Sequence, residues 1–329
     1  MNKTTRLVGA TALGLGLVAA GPRDAEVRFN APGDVAAIKE VERVLATELD
    51  MNKLIEFYAD DAVVLDIYAP GLFKGRDEIF AGFAPQLAKI KALRHSVPEM
   101  HVATNGNFGC AAMQIAFDTT LQDGRQLKMN VRQLDAFKKI NGRWKVIQQH
   151  ISLPLDPATL QAINAAPVEP RRFVWSSKPL EPASTTREQG KKEIREFMDI
   201  GGASLGLDML MKYYGPGDDV LLYDSLHPRA LVGRKEIRDY YAGIMNSYKG
   251  IKLRMPYFAA DSDGSFGVQI DTQDITLTMN DGSKRNLALR QSDCMRRIGG
   301  RWYSFFEMVS YPVDMKTNKG IMEGPGVRD

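Results

Sequence analysis

The chain has 329 residues, 44% of them hydrophobic and 25% charged, an ordinary balance for a globular protein of about two domains. Its formal net charge is only +3, with no Lys/Arg run or basic helix face, which argues against a nucleic-acid partner. Two cysteines and four scattered histidines offer no pair at metal-ligand spacing, so neither a metal site nor a cofactor is expected.

Lys3 and Arg6 precede an apolar run from Leu7 to Ala20 that ends in small residues, the pattern of a secretory signal over residues 1–20. The run is short for a membrane span, which needs ~20 apolar residues. A soluble periplasmic protein is expected, with a cytoplasmic one as the alternative. Val35, Ile38, Val41, Val44 and Leu45 then recur at helical spacing, with Asp34 placed to cap the helix, and Leu54 to Tyr58 form a second short helix. A short strand, Ala62 to Asp66, leads through a turn at Pro70-Gly71 into a helix opened by Gly75-Arg76-Asp77-Glu78 and running to about Ile90. Strands follow at 93–104, 108–121, 126–139 and 143–153. Asn105-Gly106, Asp123-Gly124 and Asn141-Gly142 join them, and such dipeptides mark hairpins.

Residues 157–187 are a Pro-rich linker, unable to run as a regular helix or central strand. Phe173-Val174-Trp175 within it is expected to dock, because an exposed aromatic cluster is a liability. A helix from Arg187 to Ile200 restarts the pattern, and the Gly/Pro/Lys-rich tail, 315–329, is expected to be loosely held.

The restart is a repeat. Asp50 to Asp156 reads gaplessly onto Asp208 to Asp314, so that Asp60-Asp61…Asp66, Gly75-Arg76-x-Glu78-Ile79, Arg132-Gln133-x-Asp135 and Gly142-Arg143-Trp144 are answered by Asp218-Asp219…Asp224, Gly233-Arg234-x-Glu236-Ile237, Arg290-Gln291-x-Asp293 and Gly300-Arg301-Trp302. A unit of this length can bury its own core, unlike a solenoid repeat. Two α+β domains are expected, 34–156 and 188–314, each a curved antiparallel sheet wrapped around helices. Cys110 and Cys294 stand at non-equivalent places in the copies and do not read as a disulfide.

Tyr58-Ala59-Asp60-Asp61-Ala62-Val63-Val64-Leu65-Asp66, then Gly75 to Phe83, then Asp135…Gly142-Arg143-Trp144…His150-x-Ser152-x-Pro154, resembles the nuclear transport factor 2-like superfamily, closest to its ketosteroid isomerase and SnoaL-like branches. The resemblance covers both copies and implies cone-shaped domains with a pocket between the concave sheet face and the helices. It implies a general base at Asp66 and Asp224, an oxyanion-hole aspartic acid at Asp135 and Asp293, and a supporting tyrosine at Tyr58. The family's principal oxyanion tyrosine has no counterpart: its place falls near Glu42 in one copy and Met198 in the other. Another tyrosine of the family is Phe83 in the first copy and Tyr241 in the second.

Period-two alternation then sorts the sheet. If Asp135 faces the pocket, so do Val131, Gln133 and Phe137, with Ile147, Gln149 and Ile151 on the next strand and Met113, Ile115 and Phe117 as an apolar wall. The same alternation sends Arg132, Trp144 and His150 to the convex face unless a bulge intervenes. Arg132 and His150 therefore carry two readings, an anion clamp with a catalytic acid/base, or a network locking a domain interface. The second pocket is expected to be more polar, since Asp271, Gln273 and Glu307 replace Met113, Ile115 and Gln149 beside Gln291.

Two functions follow. One is a cofactor-independent isomerase or lyase, with dehydration and retro-aldol-type C–C cleavage included, on a small apolar, aromatic or polycyclic compound. The other is a non-catalytic periplasmic binding or assembly module, in which the duplication forms a pseudo-dimer within the chain or the chain forms a homo-oligomer.

Overall fold

A computed structural model of the chain describes residues 29–166, 168, 170–175, 181, 183–202 and 206–327, and the expected signal segment lies outside them. The first copy runs α1 (Pro32–Thr47), α2 (Met51–Leu54), β1 (Tyr58–Leu65), β2 (Leu72–Lys74), α3 (Gly75–Leu87), β3 (Ile90–Thr104), β4 (Phe108–Leu121), β5 (Gln126–Ile140) and β6 (Arg143–Ser152). Pro32 opens α1, where its fixed φ suits the first turn and its missing N–H costs nothing. Asp34 is therefore not the cap; it lies inside the first turn and accepts from Lys139 Nζ at 2.5 Å. Asn141 and Gly142 both take positive φ, 51° and 75°, the conformation that a two-residue hairpin needs to follow the strand twist.

The second copy repeats this order as α4 (Arg187–Gly202), α5 (Leu207–Leu210), β7 (Leu221–Tyr223), β8 (Leu231–Val232), α6 (Arg234–Met245), β9 (Tyr248–Ser262), β10 (Phe266–Met279), β11 (Lys284–Ile298) and β12 (Arg301–Ser310). Each copy is a six-stranded curved sheet, ordered β2-β1-β6-β5-β4-β3 and β8-β7-β12-β11-β10-β9. All neighbours are antiparallel except β1–β6 and β7–β12, whose strands lie far apart in the chain and are not joined by a hairpin.

The repeat is not gapless from Asp50. Tyr58 pairs with Val146 and Tyr214 with Ser304, so these tyrosines are equivalent and stand 156 residues apart, whereas Asp60 and Asp218 stand 158 apart. Two extra residues enter the second copy around Gly215-Pro216-Gly217, which moves the counterpart of Tyr58 from Pro216 to Tyr214.

The copies pack through their convex faces about a pseudo-two-fold axis. Leu155 N–H donates to Ser225 O at 2.7 Å, and the equivalent Val313 N–H donates to Ile67 O at 2.9 Å. Asn105 and Asp263, themselves equivalent, bond to each other at 2.5 Å beside the axis. Cys110 and Cys294 form a disulfide with Cα atoms 6.5 Å apart, contrary to the expectation of unpaired thiols. The reason is the two-fold. Cys110 lies opposite Ala136 on β4–β5, and Cys294 lies opposite Val268 on β10–β11. Laying these equivalent strand pairs against each other brings non-equivalent positions together.

Phe173 and Trp175 of the linker dock at this seam, 5.5 and 5.3 Å from the Phe306 ring, with Phe29 and Phe305 also against Trp175. The tail is not loose. Val313–Asp314 (β13) pairs with Lys319–Gly320 (β14), Ala288 N–H donates to Met322 O at 2.9 Å, and Val327 N–H donates to Thr276 Oγ1 at 2.8 Å.

Candidate active site

In the first copy the concave face of the sheet presents Met113, Ile115, Val131, Gln133, Asp135, Phe137 and Gln149 toward α1 and α3, all buried. Ile38, Glu42 and Ala46 repeat every four residues along α1, which places Glu42 on its buried face among apolar neighbours. A carboxyl in such a place needs a partner. Glu42 finds Asp135, to which it is hydrogen-bonded, and Gln133 Nε2 at 3.4 Å. Asp135 Oδ2 accepts from Gln133 Nε2 at 2.7 Å and from Gln149 Nε2 at 2.9 Å, and Gln149 Oε1 accepts from the Tyr58 hydroxyl at 2.8 Å.

Burial pushes Asp135 up to about 7, against the lowering effect of its bonds from Gln149, Gln133 and Glu42. Glu42 is raised well above the usual carboxylate range by burial and by the charge of Asp135. Two adjacent carboxyls in an apolar interior cannot both ionise, so the pair holds a proton at neutral pH. The result is a ready hydrogen-bond donor inside the domain.

Asp66 follows the last residue of β1, on the same side as the core residue Val64. Burial raises its affinity for a proton, while bonds from the Ile67 backbone and Gln86, and the Arg290 charge, oppose the rise. Among the described residues its only side-chain partner is Gln86 Nε2 at 3.5 Å, a long contact that leaves the carboxylate open to other chemistry. Position 82 is the cause. The equivalent of Tyr240 is Gly82, where an added Cβ would meet the Phe73 ring at 2.6 Å, so this copy has no room for an aromatic cap over Asp66.

The second copy carries such a cap. The Tyr240 hydroxyl donates to Asp224 Oδ1 at 2.5 Å, and the Leu226 N–H donates to the same oxygen at 2.8 Å. Around Asp293 converge Gln269 Nε2 at 2.6 Å, Gln291 Nε2 at 2.9 Å and Ser304 Oγ at 2.6 Å. Glu307 accepts from the Tyr214 hydroxyl at 2.5 Å and from Gln291 Nε2 at 3.0 Å, and Tyr241 bonds Tyr214. Gln273 Nε2 donates to Gln291 Oε1 at 2.9 Å. Asp271 and Glu307 are both raised well above the carboxylate range, first by burial and then by the charge of Asp293. The second interior is the more polar one, with three acids on one sheet face. Its α4 offers Met198, bonded by the Tyr213 hydroxyl, where α1 offers Glu42.

Some candidate residues lie elsewhere. His150 is fully buried in the seam between copies, its Nδ1 2.9 Å from Ser292 Oγ and its Nε2 2.6 Å from Ser310 Oγ. Arg132 crosses the same seam, Nη1 donating to Asp224 O at 2.7 Å and His227 O at 3.0 Å. Both sit on the convex face, which corrects their inclusion among catalytic and substrate-binding groups. Phe83 packs on Phe73, ring centroids 5.9 Å apart, away from Asp135. Phe117 sits at a surface hollow of about 330 Å³ with Arg94, His95 and Lys128, so the apolar wall ends at Ile115. The ladder between β5 and β6 slips between Ala136 and Phe137, placing a bulge at Ile147. The bulge reverses alternation beyond it: Trp144 lies under Lys139, which binds α1, and Trp302 Nε1 donates to Glu193 of α4 at 3.0 Å. Both tryptophans face the helices, not the convex side.

Glu42, Tyr214 and Tyr240 are the interior groups that motif reading passed over. Glu42 had a legible signal, an acid at the centre of an apolar helix face. Tyr214 was hidden by the two-residue insertion.

The SnoaL-like domain family model matches residues 26–156 and 202–314. No curated protein matches the chain. Among solved structures, an NTF2-like protein of unknown function from Pseudomonas putida KT2440 is 17% identical, covers 43% of this chain and 99% of its own, and has a TM-score of 0.37. A protein with a cystatin-like fold from Caulobacter vibrioides is 20% identical, over 38% of this chain and 91% of its own, TM-score 0.32. A hexachlorocyclohexane dehydrochlorinase is 12% identical, over 36% of this chain and 84% of its own, TM-score 0.32. The two matched segments together span most of the chain, which belongs to the SnoaL-like domain family and carries its domain twice.

Proposed function

We propose that this protein is a cofactor-independent acid–base enzyme, an isomerase or lyase, acting on a small apolar compound with an aromatic or polycyclic body and a carbonyl. The observation that carries the reading is the pair of buried carboxyls Glu42 and Asp135, both reached by Gln133 Nε2, in an apolar interior that also contains the lightly bonded Asp66. Asp66 takes the proton from the carbon next to the carbonyl. The charge that develops on the carbonyl oxygen is met by the Glu42–Asp135 proton, with Glu42 standing where the resembled isomerase has a tyrosine. Returning the abstracted proton to another carbon completes an isomerisation; loss of a leaving group from the neighbouring carbon completes an elimination. An oxidising compartment such as the periplasm is part of this proposal, supported by the buried Cys110–Cys294 disulfide.

The test needs no knowledge of the natural substrate. 1-Tetralone in D₂O, followed by NMR, reports abstraction of the hydrogens beside its carbonyl. Exchange accelerated by the wild-type chain and reduced about 10²–10⁴-fold in Asp66→Asn supports the proposal. Exchange that persists undiminished in the double variant Asp66→Asn/Asp224→Asn removes it.

A second reading, a binding or assembly module, is favoured by the sealing of the interior: Asp135 and Asp271 are 0% exposed, Asp293 and Glu42 1%. It expects 1-tetralone to bind, or not, without exchange in any variant.

A further inference from the structure

Arg132 and Arg290 occupy equivalent positions on β5 and β11, and each reaches across the seam to the opposite copy. Arg290 Nη1 donates to the backbone carbonyl of Asp66, and Arg132 Nη1 donates to that of Asp224 at 2.7 Å. Arg132 is 2% exposed and Arg290 4%. The Nη2 atoms of both have no hydrogen-bond partner. Neither guanidinium faces a carboxylate in an ion pair among the described residues, an expensive arrangement for a buried cation. The energetic compensation of each comes from backbone carbonyls and from the charge of the one aspartate whose carbonyl it holds.

We infer that Arg290 is a positioning residue for Asp66 and Arg132 one for Asp224, so that each copy supplies a cation that holds the backbone of the other copy's candidate base and favours its charged form. The inference rests on the reading of Asp66 as a base. The geometry supports it twice over, through two contacts related by the two-fold. The turn that begins at Asp66 is built around the arginine: a Cβ added at Gly71 would lie 3.1 Å from Arg290 Nη1 and 2.7 Å from Asp66 O. In each copy the arginine's charge acts to favour the ionised aspartate. The other groups acting on Asp66 are Gln86 and the neighbouring Tyr58 and Tyr68. On Asp224 they are Tyr240, Tyr241, His227, Tyr311 and Glu307. A single copy would lack the cation, which gives the duplication a chemical as well as a structural role.

The experiment follows the carboxyl carbons of ¹³C-labelled aspartates in the full-length chain by NMR as pH is varied, with Asp66 and Asp224 assigned from their Asn variants. Arg290→Gln should raise the Asp66 midpoint by at least about one pH unit and leave Asp224 unmoved; Arg132→Gln should do the converse, and Arg290→Lys should restore most of the Asp66 value. An Asp66 midpoint that stays put in folded Arg290→Gln, or moves together with that of Asp224, overturns the inference. Should Arg290→Gln fail to fold, the wild-type chain still decides. The ¹⁵Nη signals of Arg290 must shift at the pH where Asp66 titrates and lose that step in Asp66→Asn, and signals that ignore Asp66 overturn the inference as surely. A cross-copy shift in a chain that never exchanges 1-tetralone removes the proposed activity and leaves this inference standing; an active chain whose Asp66 ignores Arg290 does the reverse.

Discussion

The hydroxyl of Tyr240 donates to Asp224 Oδ1 at 2.5 Å, while the equivalent Asp66, beneath Gly82, has Gln86 Nε2 at 3.5 Å as its one side-chain partner among the described residues. A base already engaged by a short bond from a phenol is a poor proton acceptor, because it must surrender that bond to react. Asp224→Asn should therefore change 1-tetralone exchange less than threefold, whereas Asp66→Asn abolishes most of it. Tyr240→Phe frees Asp224 and should make the remaining exchange of Asp66→Asn rise. An Asp224→Asn variant as inactive as Asp66→Asn would show that the second copy carries the chemistry instead.

The proton between Glu42 and Asp135 has a pH signature. Asp135 is raised in the fold, from an ordinary 3.8 to about 7, so its contribution to stability is fully present below pH ~4 and is lost as pH rises through about 7. The thermal midpoint should fall across that window, by up to about 1.4 kcal/mol per pH unit in free energy, and the slope should flatten in Asp135→Asn. Exchange activity should persist through that window, because the charge of Asp135 holds the shared proton on Glu42.

His150 behaves in the opposite sense. Burial, with the charges of Arg290 and Arg132, holds it well below its ordinary value of 6.5, so its contribution is present above that value and lost as pH falls below it. His150→Met, which copies the equivalent Met308, should cost about 1–3 kcal/mol at pH 7 by leaving Ser292 and Ser310 without their partner. It should also remove the acid-side loss below pH 6.5, measurable as a flatter dependence of Tm on pH.

The disulfide closes a loop of 184 residues across the seam. On the chain-entropy account its removal in Cys110→Ala/Cys294→Ala costs roughly 5 kcal/mol, the upper end of what such bonds supply. Urea unfolding at pH 7 should show a lower midpoint for this variant. It should also show a new intermediate in which one copy has melted, since no disulfide then ties the two copies across the seam.

Hairpin dipeptides and periodicity placed the four long strands of the first copy within a few residues, because those signals are local and the turns demand Asn or Gly. What stayed hidden depends on longer range. Cys110 and Cys294 look unrelated until two sheets are laid face to face. Trp144 needed the bulge at Ile147, which a strict two-residue period cannot foresee. The site was legible as far as Asp66 and Asp135, which sit in a motif, but the partner of Asp135 was not. Glu42 comes from a helix over ninety positions away in the chain, and the equivalent helix in the second copy has Met198 there, so repeat comparison pointed away from it.

A homodimer of one such domain must repeat every substitution on both sides of its axis. Joining two domains in one chain removes that constraint, and the seam uses the freedom. It has a histidine facing serines on one side and a methionine on the other, and a single cysteine in each half. With two cysteines in the whole molecule, there is one way to pair them within it, so oxidation has no wrong partner to find inside the chain. The covalent clasp thus joins two positions that are not copies of each other, and one bond does what a symmetric pair would do with two.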